Sequence, residues 1–85
     1  MTPIEKHILN FVFNREKKGV INNFKYIHDR GSRDFDGSFE DFMENSLAAY
    51  LSLCEDGFFE KKQVEDEYMP RIFLTDKAKE YLQNE

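Results

Sequence analysis

The sequence predicts a mainly α-helical domain with one small antiparallel β-hairpin, an α+β class of three helices, a hairpin and a C-terminal helix. Three observations predict it. Over 38–56 apolar residues recur in steps of three and four, the spacing of one buried helix face. The runs 58–64 and 68–74 flank the polar Glu65-Asp66-Glu67, as two strands flank a solvated turn. Helix-start signals stand at Thr2-Pro3, Ser38-Phe39 and Thr75-Asp76.

The first helix opens on Thr2-Pro3-Ile4-Glu5. Threonine suits the N-cap, proline the first turn, and glutamate three residues on completes a capping box. Ile4, Ile8, Phe11 and Val12 keep helical spacing, and Leu9 and Phe13 widen the stripe. Lys17-Lys18-Gly19 reads as a C-terminal turn, so the helix runs to about residue 16. His7 borders the stripe as a boundary residue. Next, Val20-Ile21 reads as a brief strand. A short helix capped by Asn22 or Asn23 then carries Phe24 and Ile27 and ends near Gly31. The stretch 31–37 is a loop by composition. Its Asp34-x-Asp36-Gly37 is a fragment of a calcium loop. The full motif needs an acid or amide two residues before Asp34 and a glutamate seven after Asp36, where Ser32 and Met43 stand, so the aspartates read as turn formers.

The long helix follows. Ser38 caps it, Glu40 and Asp41 suit its positive end, and Gly57 terminates it. Phe39, Phe42, Met43, Leu47, Tyr50, Leu51 and Cys54 are expected to face the core, with Ser46 in the same track. Cys54 is then a packed, inert thiol. The other face carries Glu40, Asp41, Glu44, Asn45, Ala48, Ser52, Glu55 and Asp56. In the hairpin, Pro70 belongs at an edge or a strand start. The last helix is capped by Thr75 and turns Ala78, Tyr81 and Leu82 inward.

The order of elements and the residues Asp56-Gly57-Phe58-Phe59, then Arg71-Ile72-Phe73-Leu74-Thr75-Asp76-Lys77-Ala78-Lys79-Glu80-Tyr81-Leu82, resemble the wing region of winged-helix (winged helix-turn-helix) regulators of the MarR and PadR type. In size the chain is similar to the small YjcQ-type winged-helix proteins of Gram-positive bacteria and their phages. The resemblance covers roughly the second half of the chain. It departs from the pattern at Ala78, where glycine is usual, and in the acidity of the 38–56 helix. It implies a DNA-binding transcriptional regulator of bacterial or phage origin, with the long helix in the major groove and the wing on the backbone.

Composition bounds the rest. Eighty-five residues suit one small domain, and nine Phe and four Tyr supply its apolar area. One cysteine fits a reducing, cytoplasmic setting. No secretory pattern or membrane-spanning run is expected. No phosphate loop, metal-spaced cluster or nucleophile constellation is legible, so neither an enzyme nor a cofactor or metal site is expected.

Net charge is −5 and unevenly placed. Between positions 15 and 33 there are six basic residues and two acidic ones; between 34 and 56 there are seven acids and no base. Two readings follow. For DNA, Lys25, Arg30, Arg33, Lys61, Lys62 and Arg71 would neutralise phosphates, and Asn45 or Ser52, with the helix N-terminus, would read bases. In the alternative the fold is a scaffold for protein contacts without DNA. The acidic face with Glu40, Asp41 and Glu44 then meets a basic partner, or the basic 15–33 region of another copy.

Overall fold

The structure, a computed structural model, describes residues 1–84. Helix α1 spans Pro3–Lys17. Helix α2 begins as an α-helical turn, Phe24–Tyr26, and continues as a π-helical turn, Ile27–Gly31. Helix α3 spans Phe39–Glu55. Strands β1, Phe59–Lys62, and β2, Arg71–Leu74, pair antiparallel with Phe59 opposite Leu74 and Lys62 opposite Arg71. Helix α4 spans Asp76–Gln83. The fold is mainly helical α+β.

The helix ends follow the cap chemistry. At α1 the Thr2 hydroxyl accepts from the Glu5 N–H at 3.1 Å, and the Glu5 carboxylate accepts from the Thr2 N–H at 2.9 Å. This reciprocal pair holds the Glu5 carboxyl below its ordinary pKa, the Thr2 backbone bond being the largest cause. Both long helices end in a Schellman motif on a left-handed glycine. In α1, Gly19 (φ 72°) donates to Glu16 and Val20 donates to Arg15. In α3, Gly57 (φ 81°) donates to Cys54 and Phe58 donates to Leu53. The buried Leu53 and Phe58 are the apolar pair that accompanies such an ending.

The core lies between α1, α3 and the hairpin. Ile8, Leu9, Val12, Ile27, Phe42, Leu53 and Ile72 are buried almost completely. Phe24, Tyr50 and Phe59 follow one another with ring centroids 5.0 and 6.1 Å apart. His7 sits edge-on to Phe35 and Phe42, and its Nε2 lies 2.7 Å from the Gly31 carbonyl. That bond ties the end of the π turn to α1.

Two expectations are corrected here. Val20-Ile21 forms no strand. Its polar groups are met another way: Arg15 donates from Nη2 to the Ile21 carbonyl and from Nε to Asn22 Oδ1, at 2.7 and 2.8 Å. Only the Asn22 carbonyl reaches β2, accepting from the Ile72 N–H at 2.9 Å. Second, Phe39, Leu47 and Leu51 point outward, with 57%, 52% and 47% of their surface exposed. The buried face of α3 is Phe42, Ser46, Ala49, Tyr50 and Leu53. The full set of apolar positions spans about half the helix circumference. Neighbours cover one part of that arc, where the small Ser46 and Ala49 are buried, and leave the flank at 47 and 51 bare.

The strands are also shorter than the runs that predict them. Pro70, with no N–H to give, immediately precedes β2, and Tyr68 is 99% exposed. The second helix takes Asn23 as its cap, with Asn23 Oδ1 accepting from the Tyr26 N–H.

Candidate interaction surfaces

The outer side of α3 carries Glu40, Glu44, Leu47, Leu51 and Glu55, at steps of four, three, four and four. That spacing puts all five on one strip, and all five are exposed. Among the described residues, Glu40, Glu44 and Glu55 have no ion pair and no side-chain hydrogen bond. The strip is therefore two leucines rimmed by unpaired carboxylates. No Lys or Arg lies on the helix.

Asp41 and Asn45 belong to a different side. Asn45 Nδ2 donates to Asp41 Oδ1 at 2.8 Å and to the Asp41 carbonyl at 2.9 Å. Asn45 thus has its amide donors spent within its own helix. Both residues line a cleft of about 450 Å³ against the start of α1, with Thr2, Ile4 and Ala48. The predicted acidic trio is split, with Glu40 and Glu44 on the strip and Asp41 in the cleft.

The predicted cations fall into separate settings. Arg30 and Arg33 line a groove of about 710 Å³ between α1 and the end of α2, together with Arg15 and Lys18. The Tyr26 ring lies 4.9 Å from the Arg15 guanidinium and 5.1 Å from that of Arg30. Arg15 also stands 5.5 Å from the Phe11 ring. Its partial burial, and next the charge of Arg30, lower its pKa from the ordinary guanidinium value. The fold therefore holds two like charges on one aromatic ring. Asp34 is the one acid among the groove's lining residues.

Lys25 is elsewhere, in a depression with Ile21, Glu67 and Tyr68. The Lys61 ammonium lies 5.7 Å from the Tyr50 ring. Lys62 is exposed on β1 opposite Arg71. Arg71 is engaged by Glu67, with Nε 2.8 and 3.1 Å from the two carboxylate oxygens. Of the seven residues assigned to nucleic acid, Arg30 and Arg33 line one groove together, while Asn45, Lys25 and Arg71 line three other depressions.

Arg15 and Lys18 as groove residues, and Leu47 and Leu51 as surface residues, escaped the reading of the sequence. The excessive width of the α3 stripe was the available signal for the leucines. Nothing in the sequence sets Arg15 against Tyr26, which is a tertiary contact. Among the described residues no group of three His, Cys, Asp or Glu side chains could hold a metal ion, and no helix is long and apolar enough to cross a membrane. No protein-family model, curated protein or solved structure matches the chain.

Proposed function

We propose that the chain is a winged-helix-type module that works by protein contact, with the outer strip of α3 as its contact surface. The observation that carries this reading is the strip itself: Leu47 and Leu51 half exposed on a helix whose rim is Glu40, Glu44 and Glu55. The order of three helices, hairpin and helix supports the winged-helix part. Covering the two leucines contributes roughly 1 kcal/mol each, since each has about half its area left to bury. The acids select a cationic rim on the partner.

Magnitudes weigh against α3 as a reader of the major groove. A carboxylate held about 6 Å from a phosphate costs roughly 0.7 kcal/mol in water, and more as water leaves. Three such acids offset about what one good bidentate base contact gains, roughly 1–3 kcal/mol. The helix offers no cation to reverse that balance, and the amide of Asn45 is already engaged.

The test pairs two binding measurements. Fluorescence anisotropy should show a Leu/Lys amphipathic helical peptide binding the chain. Leu47→Asp/Leu51→Asp should abolish that binding, and Tyr68→Asp, at the fully exposed residue beyond the strands, should leave it unchanged. A mixed-sequence duplex should not be retained at low salt. Retention of the duplex with no binding of the peptide overturns the reading.

A further inference from the structure

Resting on that reading, we infer that the partner of the α3 strip is the Arg15/Lys18/Arg30/Arg33 groove of a second copy of this chain, joined head to tail. Both halves of the match are present in one molecule and unused within it. Glu40, Glu44 and Glu55 have no ion partner among the described residues, and neither do Lys18, Arg30 and Arg33. Arg15 gives two of its five N–H donors to Asn22 and Ile21, neither of which carries charge. The two surfaces cannot satisfy each other within one chain. The strip is on the solvent side of α3, whereas the side facing α1 is buried. The pairing must therefore be made between molecules.

The chemistry matches beyond charge sign. The half-buried Phe11 and the aliphatic stems of Arg15, Lys18 and Arg30 give Leu47 and Leu51 apolar surface to cover. Guanidinium groups pair with carboxylates through two parallel N–H donors. Arg15 is held in place by Asn22 and by the Phe11 and Tyr26 rings, so less side-chain entropy is lost there on contact. A symmetric pairing of two α3 strips is disfavoured. Antiparallel helices would set Glu40 and Glu44 of one copy near Glu55 and Asp56 of the other, acid against acid. A strip-to-groove contact is heterologous, so it generates a ring if the rotation closes and a chain of copies if it does not. A weak specific interface needs about 600 Å² per copy, which is about a tenth of the 5621 Å² molecular surface. The net charge of −5 repels copies at long range, so the local match sets orientation rather than a fast encounter.

Sedimentation of the wild-type chain at about 0.5 mM should show association in about 0.1 M salt and its loss in about 1 M salt, where screening acts within a few ångströms. Glu40→Lys/Glu44→Lys alone and Lys18→Glu/Arg33→Glu alone should both be monomeric. Mixed one to one they should associate again, because each variant's helix then matches the other's groove. Lys61→Glu/Lys62→Glu changes charge as much and should associate like wild type. Circular dichroism checks that each variant is folded, and Arg30→Glu replaces the groove pair should that pair unfold. A wild-type chain that stays monomeric overturns the inference, as does a charge-swapped mixture that stays monomeric. In either event, binding of the cationic peptide at Leu47 and Leu51 leaves the contact role of α3 standing.

Discussion

Glu16 accepts the backbone N–H of Leu74 through Oε2 at 3.1 Å, across 58 residues of chain. The bond closes the outer edge of β2. Among the described residues the sheet has two strands, so the N–H groups of β2 that face away from β1 meet no third strand there. Asn22 takes the one at Ile72 and Glu16 takes the one at Leu74. A covered edge is also denied to a neighbouring chain. Glu16→Ala should destabilise the fold by about 1–3 kcal/mol, because a partly buried N–H loses its charged acceptor. In a domain this size each kcal/mol is roughly 4–8 °C in midpoint. Glu16→Gln keeps an acceptor oxygen and should cost less. The nearby Lys79 ammonium is 3.9 Å from Glu16 and about half exposed, so Lys79→Ala should cost under about 1 kcal/mol. Thermal melts of the three variants that rank them in another order would dismiss the edge-closing role.

Ser46 is fully buried in α3 and its hydroxyl has no hydrogen-bond partner among the described residues. Removing an unmet buried hydroxyl recovers its desolvation cost, about 1–3 kcal/mol, less whatever the lost atom contributed in packing. Alanine is also the better helix former by roughly half a kcal/mol. Ser46→Ala should therefore stabilise the chain by about 1 kcal/mol in urea titrations. Ser46→Leu should destabilise it by at least as much, since the site is closed and overpacking costs about 1–3 kcal/mol. A loss of stability in Ser46→Ala would mean that the hydroxyl has a partner after all.

Gly19 and Gly57 end the two long helices in the left-handed region. A Cβ at Gly19 would meet nothing within 4 Å, and one at Gly57 would only graze the Lys77 side chain at 4.0 Å. The cost of alanine at either place is therefore conformational, about 1–2 kcal/mol. Gly19→Ala and Gly57→Ala should cost similar amounts and add in the double variant, the two sites sharing no contact that would couple them. Asparagine, which tolerates this conformation better, should cost less than alanine at each position. Equal stability of Gly57→Ala and wild type in equilibrium unfolding would contradict the ending described for α3.

These sites show what a sequence can carry. Caps are local, so Thr2, Ser38 and Thr75, and the chain reversals at Gly19 and Gly57, are legible from residues within a few positions of each other. The pairing of β1 with β2 is legible because the polar 65–67 segment makes the strands neighbours in sequence. What fails is whatever depends on distant neighbours. Which part of the wide α3 stripe is buried depends on what packs against it, and Leu47 and Leu51 have the same chemistry as the buried Leu53. Arg15 reads as a helix-end cation until the chain returns Asn22 and Tyr26 to it. The apparent strand at Val20-Ile21 fails for the same reason, since a guanidinium takes the carbonyl that a ladder would have used. Lys25, Lys61 and Lys62 share a sign with Arg30 and Arg33, but sequence cannot say that they occupy other faces.

Glu67 and Arg71 pair across the end of the hairpin connection, and the pair sets a pH dependence. The hydrogen bonds from Arg71, and then its charge, hold the Glu67 carboxyl below the ordinary glutamate pKa. A carboxyl depressed in the folded state adds stability that is fully present above its unfolded pKa, about 4.3. That stability is lost as pH falls through the lower folded value, because the unfolded chain takes up the proton first. The pair is accessible to water, with about a third of each side chain exposed, so its contribution is small and salt-sensitive. Glu67→Gln should therefore melt below wild type by a constant interval above about pH 5, and the interval should close at lower pH. Carbon-detected NMR titration of the Glu67 carboxyl should give an apparent pKa under the ordinary glutamate value of about 4.3. A Glu67 carboxyl that titrates at or above the ordinary glutamate value, or an interval that widens with acid, would show that Arg71 does not hold the connection.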